Sequence, residues 1–153
     1  MSSNKTWYAA IALSLGAVAC ARNIDSGKVE KSITEGLAKK GLTAKVSCPS
    51  GQAAKASAEF TCEATDDAGE KLTIKVTQQD DQGTVLWKLD GQILDTAVVV
   101  ADARGKLPGA EITCARKAVV VKASDTYTCE IAKAAQRKLT IKVDNGNVAW
   151  EAN

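Results

Sequence analysis

The chain has 153 residues, 45% of them apolar and 25% charged, with 20 Lys plus Arg against 18 Asp plus Glu and no histidine. A net charge of +2, spread over both halves, provides no basic face for nucleic acid or for an anionic bilayer. Without histidine, Ser-His and Cys-His nucleophile pairs are excluded, and zinc sites built on His go with them.

Residues 1–19 read as a signal peptide: Lys5, an uncharged run from Thr6 to Ala19, then Cys20. The run is shorter than the ~20 apolar residues that span a bilayer, which favours a cleaved signal over a membrane helix. The stretch Gly16-Ala17-Val18-Ala19-Cys20 resembles the lipobox of bacterial lipoproteins, with Ala17 standing where Leu is usual. That resemblance implies cleavage before Cys20, a lipid on its sulfur with acyl chains of the palmitate type, and membrane attachment through that anchor. Residues 20–23 then form the lipidated tether. Ala21 replaces the Asp that commonly retains lipoproteins at an inner membrane. The expected location is the extracytoplasmic cell envelope: the outer membrane of a two-membrane host, otherwise the outer leaflet of the plasma membrane.

The first folded unit is expected over 24–89. Asp25 or Ser26 can cap a helix whose apolar positions Val29, Ile33 and Leu37 recur every four residues, with Gly41 at its stop. Strand-like alternation follows at Val46 and Cys48, at Phe60, Cys62 and Ala64, at Leu72, Ile74 and Val76, and at Val85 and Trp87. Thr61, Glu63, Thr73 and Lys75 face the other way, as a sheet with one wet side requires. Turns fall at Pro49-Ser50-Gly51, Asp66-Asp67-Ala68-Gly69 and Asp80-Asp81-Gln82-Gly83, where the Asp pairs read as solvated turn residues because the order of a calcium loop is missing.

The hexapeptide Lys71 to Val76, KLTIKV, recurs letter for letter at Lys138 to Val143. Phe60-Thr61-Cys62-Glu63 aligns with Tyr127-Thr128-Cys129-Glu130, Lys55-Ala56-Ser57 with Lys122-Ala123-Ser124, and Val85-Leu86-Trp87 with Val148-Ala149-Trp150. A second unit is therefore expected over 90–153, and the fold class is α+β: two tandem repeats, each one helix packed on a four-stranded antiparallel sheet. Its helix reads as capped by Asp90, with stripe Ile93, Ala97 and Ala101, ending near Arg104 and Gly105. Val98-Val99-Val100 weakens that reading, because β-branched chains lose freedom in a helix, and a strand is the rival there. Core-face parity makes Trp87 and Trp150 core residues rather than a recognition surface. Val119-Val120-Val121 replaces Ala53-Ala54 of the first unit. The run stands open between core filling, a contact between units and an exposed patch, and the last makes Val119, Val120 and Val121 the candidate binding surface.

Five cysteines are an odd number for an exported chain. With Cys20 carrying lipid, Cys48, Cys62, Cys114 and Cys129 remain, two per unit and on adjacent expected strands. Spacings of 14 and 15 residues suit no C-x-x-C metal or redox motif. One disulfide per repeat is expected, Cys48 to Cys62 and Cys114 to Cys129.

The lipobox, the short amphipathic helix, Cys48-Pro49 and Phe60-Thr61-Cys62 together resemble the bacterial family known as domain of unknown function 4333, here as two copies. The second copy departs at Ala115 and Tyr127. The resemblance implies the same cysteine pairing and no known activity. Neither a catalytic set nor a cofactor or metal site is read from these residues, and the chain is expected not to be an enzyme. The expected function is a non-catalytic binding or structural module of the cell envelope, with an envelope protein or polymer as partner and no nucleic acid. The alternative is a protein inhibitor of a hydrolase, by analogy with the tandem layout of β-lactamase inhibitory proteins.

Overall fold

Asp25 opens the first helix of the computed structural model, which describes residues 22–144 and 146–153. Its carboxylate accepts the Lys28 backbone N–H at 3.2 Å, satisfying one of the donors that a helix start leaves unpaired. Helix α1 (Ser26–Lys39) buries Val29, Ile33 and Leu37, the stripe legible in the sequence. It stops in a Schellman turn. Gly41 takes φ +81°, its N–H donates to the Ala38 carbonyl, and the Leu42 N–H donates to the Leu37 carbonyl at 3.1 Å. The signal peptide, the lipobox and Cys20 lie outside the described residues.

Four strands follow: β1 (Ala44–Ser47), β2 (Glu59–Asp66), β3 (Lys71–Gln78) and β4 (Val85–Leu89), antiparallel neighbours in that order. Burial alternates strictly along β2 and β3, so one face packs under α1 and the other stays wet. Ile33, Leu37 and Ile74 are fully buried there, each worth about 1.5–3 kcal/mol of removed apolar surface. Trp87 is half-buried and lies against α1 at Gly36, where a Cβ would collide with the indole.

The second half begins differently from expectation. Residues Gln92–Asp95 form a strand, β5, and helix α2 (Thr96–Lys106) starts only after it, capped by Asp95 accepting the Ala97 N–H at 2.9 Å. Asp90 is no cap and Ile93 is no helix residue. The buried positions of α2 are Thr96, Val99 and Ala103, while Ala97 and Ala101 are exposed. The valines do stay helical, with Val99 on the core and Val98 in solvent, so the rival strand reading of Val98-Val99-Val100 fails as well. What converts 92–95 to strand is a partner. β5 pairs antiparallel with β7 (Ala118–Val121), Ile93 opposite Val120 and Leu94 opposite Val119.

β6 (Glu111–Thr113), β8 (Thr126–Ala132), β9 (Lys138–Asp144) and β10 (Asn147–Ala152) make the second sheet, in the order β10-β9-β8-β6. Trp150 lies opposite Ile141, and Trp87 lies opposite Val76. The expected helix-side parity is kept for both, but the two tryptophans stand at different rungs of their sheets. Trp150 reaches α2, its indole N–H donating to the Asp102 carboxylate at 2.7 Å with the Lys106 ammonium 5.1 Å from its ring centre.

Disulfides join Cys48 to Cys62 and Cys114 to Cys129, one in each half. Among the described residues the chain is thus a mixed α and β protein with two helices, several antiparallel sheets and a bridge in each of two halves. Both cores and both bridges close among residues from Ile24 onward.

Candidate ligand-binding cleft

The seam between the halves starts from β7. All four of its residues are buried, and its two faces serve different cores: Ala118 and Val120 pack with α1 and the first sheet, Val119 and Val121 with α2 and the second. A continuous apolar run suits a strand covered on both sides. The reading of Val119, Val120 and Val121 as an exposed binding surface is therefore overturned. Each is at most 9% exposed, consumed by core packing between the halves.

A second tie is ionic. Arg116, just ahead of β7, puts its guanidinium on the Asp66 carboxylate and on Glu70, the latter at 3.2 Å. The Asp66 side chain is fully buried and also accepts the backbone N–H groups of Ala68 and Glu70 at 3.0 and 2.8 Å. Burial pushes this carboxyl up, but the Glu70 N–H and Arg116 outweigh it and hold the group below the ordinary aspartate range. The Arg116 guanidinium is likewise drawn down by burial and raised, on balance, by Asp66 and Glu70. Placement in an Asp-Asp-Ala-Gly turn predicts a solvated Asp66. It is instead the buried anchor of the seam, while its neighbour Asp67 stays 71% exposed. The other acidic turn is local: Asp80 accepts the N–H groups of Gln82 and Thr84, and hydrogen bonds from Thr84 hold its carboxyl low.

Where the second half overhangs the wet face of the first sheet, a cleft of about 510 Å³ opens. One wall is the outward row of that sheet, with Thr73, Lys75 and Lys88. The connection between the halves adds Leu89, Asp90, Gly91 and Gln92 to the lining, and the second half adds Val121, Lys122 and Val143. Gly91 is required at its place in this lining. It takes φ +131°, and a Cβ there would meet the Val121 carbonyl oxygen at 3.0 Å. The volume falls in the ~300–1,000 Å³ range of small-molecule sites. Lys122 bonds Asp90 across the mouth at 2.7 Å, and that carboxylate holds its ammonium above the ordinary lysine range.

Residues 8–83 match the model of the family described as domain of unknown function (DUF4333). One copy is matched, from inside the expected signal peptide to just before β4, and it carries the Cys48–Cys62 bridge. No curated protein and no solved structure matches the chain.

The cysteines were legible in the sequence as one pair per half, and both pairs are bonded. Disulfides point to an oxidising, extracytoplasmic compartment. Among the described residues no helix is long and apolar enough to cross a membrane, and no group of three or more Cys, Asp or Glu converges as metal ligands. The cleft itself has no signature in the sequence. Its lysines were recognisable only as the wet side of a sheet, because the cleft depends on strand register and on how the second half leans over the first.

Proposed function

We propose that this chain is an exported bacterial lipoprotein, anchored through Cys20, whose two disulfide-stapled units arose by tandem duplication and act as a non-catalytic binding module of the cell envelope. The observation that carries the reading is the seam: two separately bridged halves share a buried strand and enclose a cleft of small-molecule size. Duplication is supported by the Lys55-Ala56-Ser57 and Lys122-Ala123-Ser124 turns. Ser57 and Ser124 both take positive φ, at 63° and 71°, and in each turn the N–H of the next residue donates to the lysine carbonyl at 3.1 Å.

Two measurements test this. The intact mass of the protein extracted from membranes is expected to show loss of residues 1–19, acyl chains and four cysteines oxidised. An unprocessed mass without lipid refutes the anchor. Affinity capture with the Ala21–Asn153 fragment is expected to retain an envelope component. Retention of a hydrolase whose activity falls on mixing would assign the chain as an inhibitor instead.

A further inference from the structure

The cleft contains an electrostatic arrangement that folding alone does not call for. Lys75 on β3 lies directly opposite Lys88 on β4, with Thr61 completing the row on β2. Like charges facing each other across an antiparallel pair are destabilising. Glu59 relieves Lys75 at 3.1 Å, but among the described residues no carboxylate pairs with Lys88. A third ammonium, Lys122, lines the cleft from the other half but is already paired there with Asp90 at 2.7 Å, which leaves Lys88 as the lysine without a carboxylate partner among the described residues. The second sheet provides the internal comparison. There Lys142, the counterpart of Lys75 in the repeated hexapeptide, faces Ala149 and is neutralised by Glu151 at 2.8 Å. The doubled lysine thus occurs in the sheet whose outer face lines the cleft.

The geometry points to a small organic anion with an apolar body as the ligand of this cleft: its charged group set between Lys75 and Lys88, its body over Gly91 and Gln92 and the narrow edges that the otherwise buried Leu89, Val121 and Val143 leave in the lining. An anion there removes the Lys75–Lys88 repulsion, so binding gains what the empty sheet forgoes. This assignment rests on the binding reading above and narrows it to a ligand class.

Fluorescence titration of the Ala21–Asn153 fragment tests it with 8-anilinonaphthalene-1-sulfonate and its uncharged analogue N-phenyl-1-naphthylamine. One anionic dye is expected per chain, with amide shifts at Thr73, Lys88, Gln92 and Lys122. Lys88→Gln is expected to weaken the anionic dye by about fivefold, the upper range for one exposed ion pair, and to leave the neutral dye unchanged. Lys45→Gln, the same charge change on β1 and away from the cleft, is expected to have no effect. Octyl sulfate should displace the dye at concentrations where inorganic sulfate does not. Equal binding of the two dyes, equal losses for the two variants, or displacement by sulfate alone would overturn the assignment. Each of those results leaves envelope capture by the same fragment unaffected, so the failure of the ligand class is separable from the failure of the binding reading.

Discussion

Replacing Arg116 by glutamine removes the guanidinium that neutralises Asp66 across the seam. Severing a fully buried pair by deleting one partner costs about 3–5 kcal/mol, because an uncompensated charge stays behind. Two features lower that figure here: Arg116 is 22% exposed, and Asp66 keeps its two backbone N–H donors. About 2–3 kcal/mol is therefore expected, with solvent screening the remainder. For a urea slope of about 1.5 kcal/mol per molar, the midpoint should fall by about 1.5 M. The double-mutant cycle with Asp66→Asn is the sharper assay. Once Asp66 carries no charge, removing Arg116 should cost much less, so the two losses should fall short of additivity by at least about 1 kcal/mol. The pH dependence follows in sign. Asp66 has its folded value depressed below 3.8, so its contribution is present above that value and is lost as pH falls through the lower, folded one. Arg116→Gln should flatten that acid limb. A loss under about 0.5 kcal/mol, or strict additivity with Asp66→Asn, would refute the buried-anchor reasoning.

Reduction of the Ala21–Asn153 fragment without denaturant should lower its melting temperature sharply, since each bridge closes a loop that contributes about 3 kcal/mol in the chain-entropy model; calorimetry with and without reductant checks this. Gly36→Ala should cost about 1–3 kcal/mol by driving a methyl into the Trp87 ring, and the loss should appear in urea unfolding together with a shifted tryptophan emission. Val120→Ala should loosen amides of α1 and β3, in the other half of the chain, because this side chain belongs to the first core; hydrogen exchange reads the effect.

The legible parts of the fold carried their information locally. A cap at Asp25, a four-residue stripe and a glycine stop define α1 within its own segment, and strict alternation defines β2 and β3. α2 lacks such a signature. Ala97, Val98, Val99, Val100 and Ala101 are apolar all round, so no stripe marks the buried face, and aligning Ile93 with Val29 puts the helix start too early. The four residues of β5 become a strand because β7 is there to pair with them, a contact 23 to 29 residues away in the chain. Val119 to Val121 illustrate the same gap: an apolar run reads alike whether it is covered or bare. Asp66 looked like any turn aspartate because its partner Arg116 lies 50 residues further on. The Lys75–Lys88 opposition likewise follows from register, which the alternation of either strand leaves free.

The most direct test of the account is tryptic peptide mapping, without reduction, of the protein isolated from its own cells. Lys55 lies between Cys48 and Cys62, and Lys117 and Lys122 lie between Cys114 and Cys129, so each bridge must hold two tryptic peptides together. The account predicts those two linked pairs, with Cys20 modified by lipid and joined to neither. Sulfurs linked from one half to the other, or four free thiols, would contradict it.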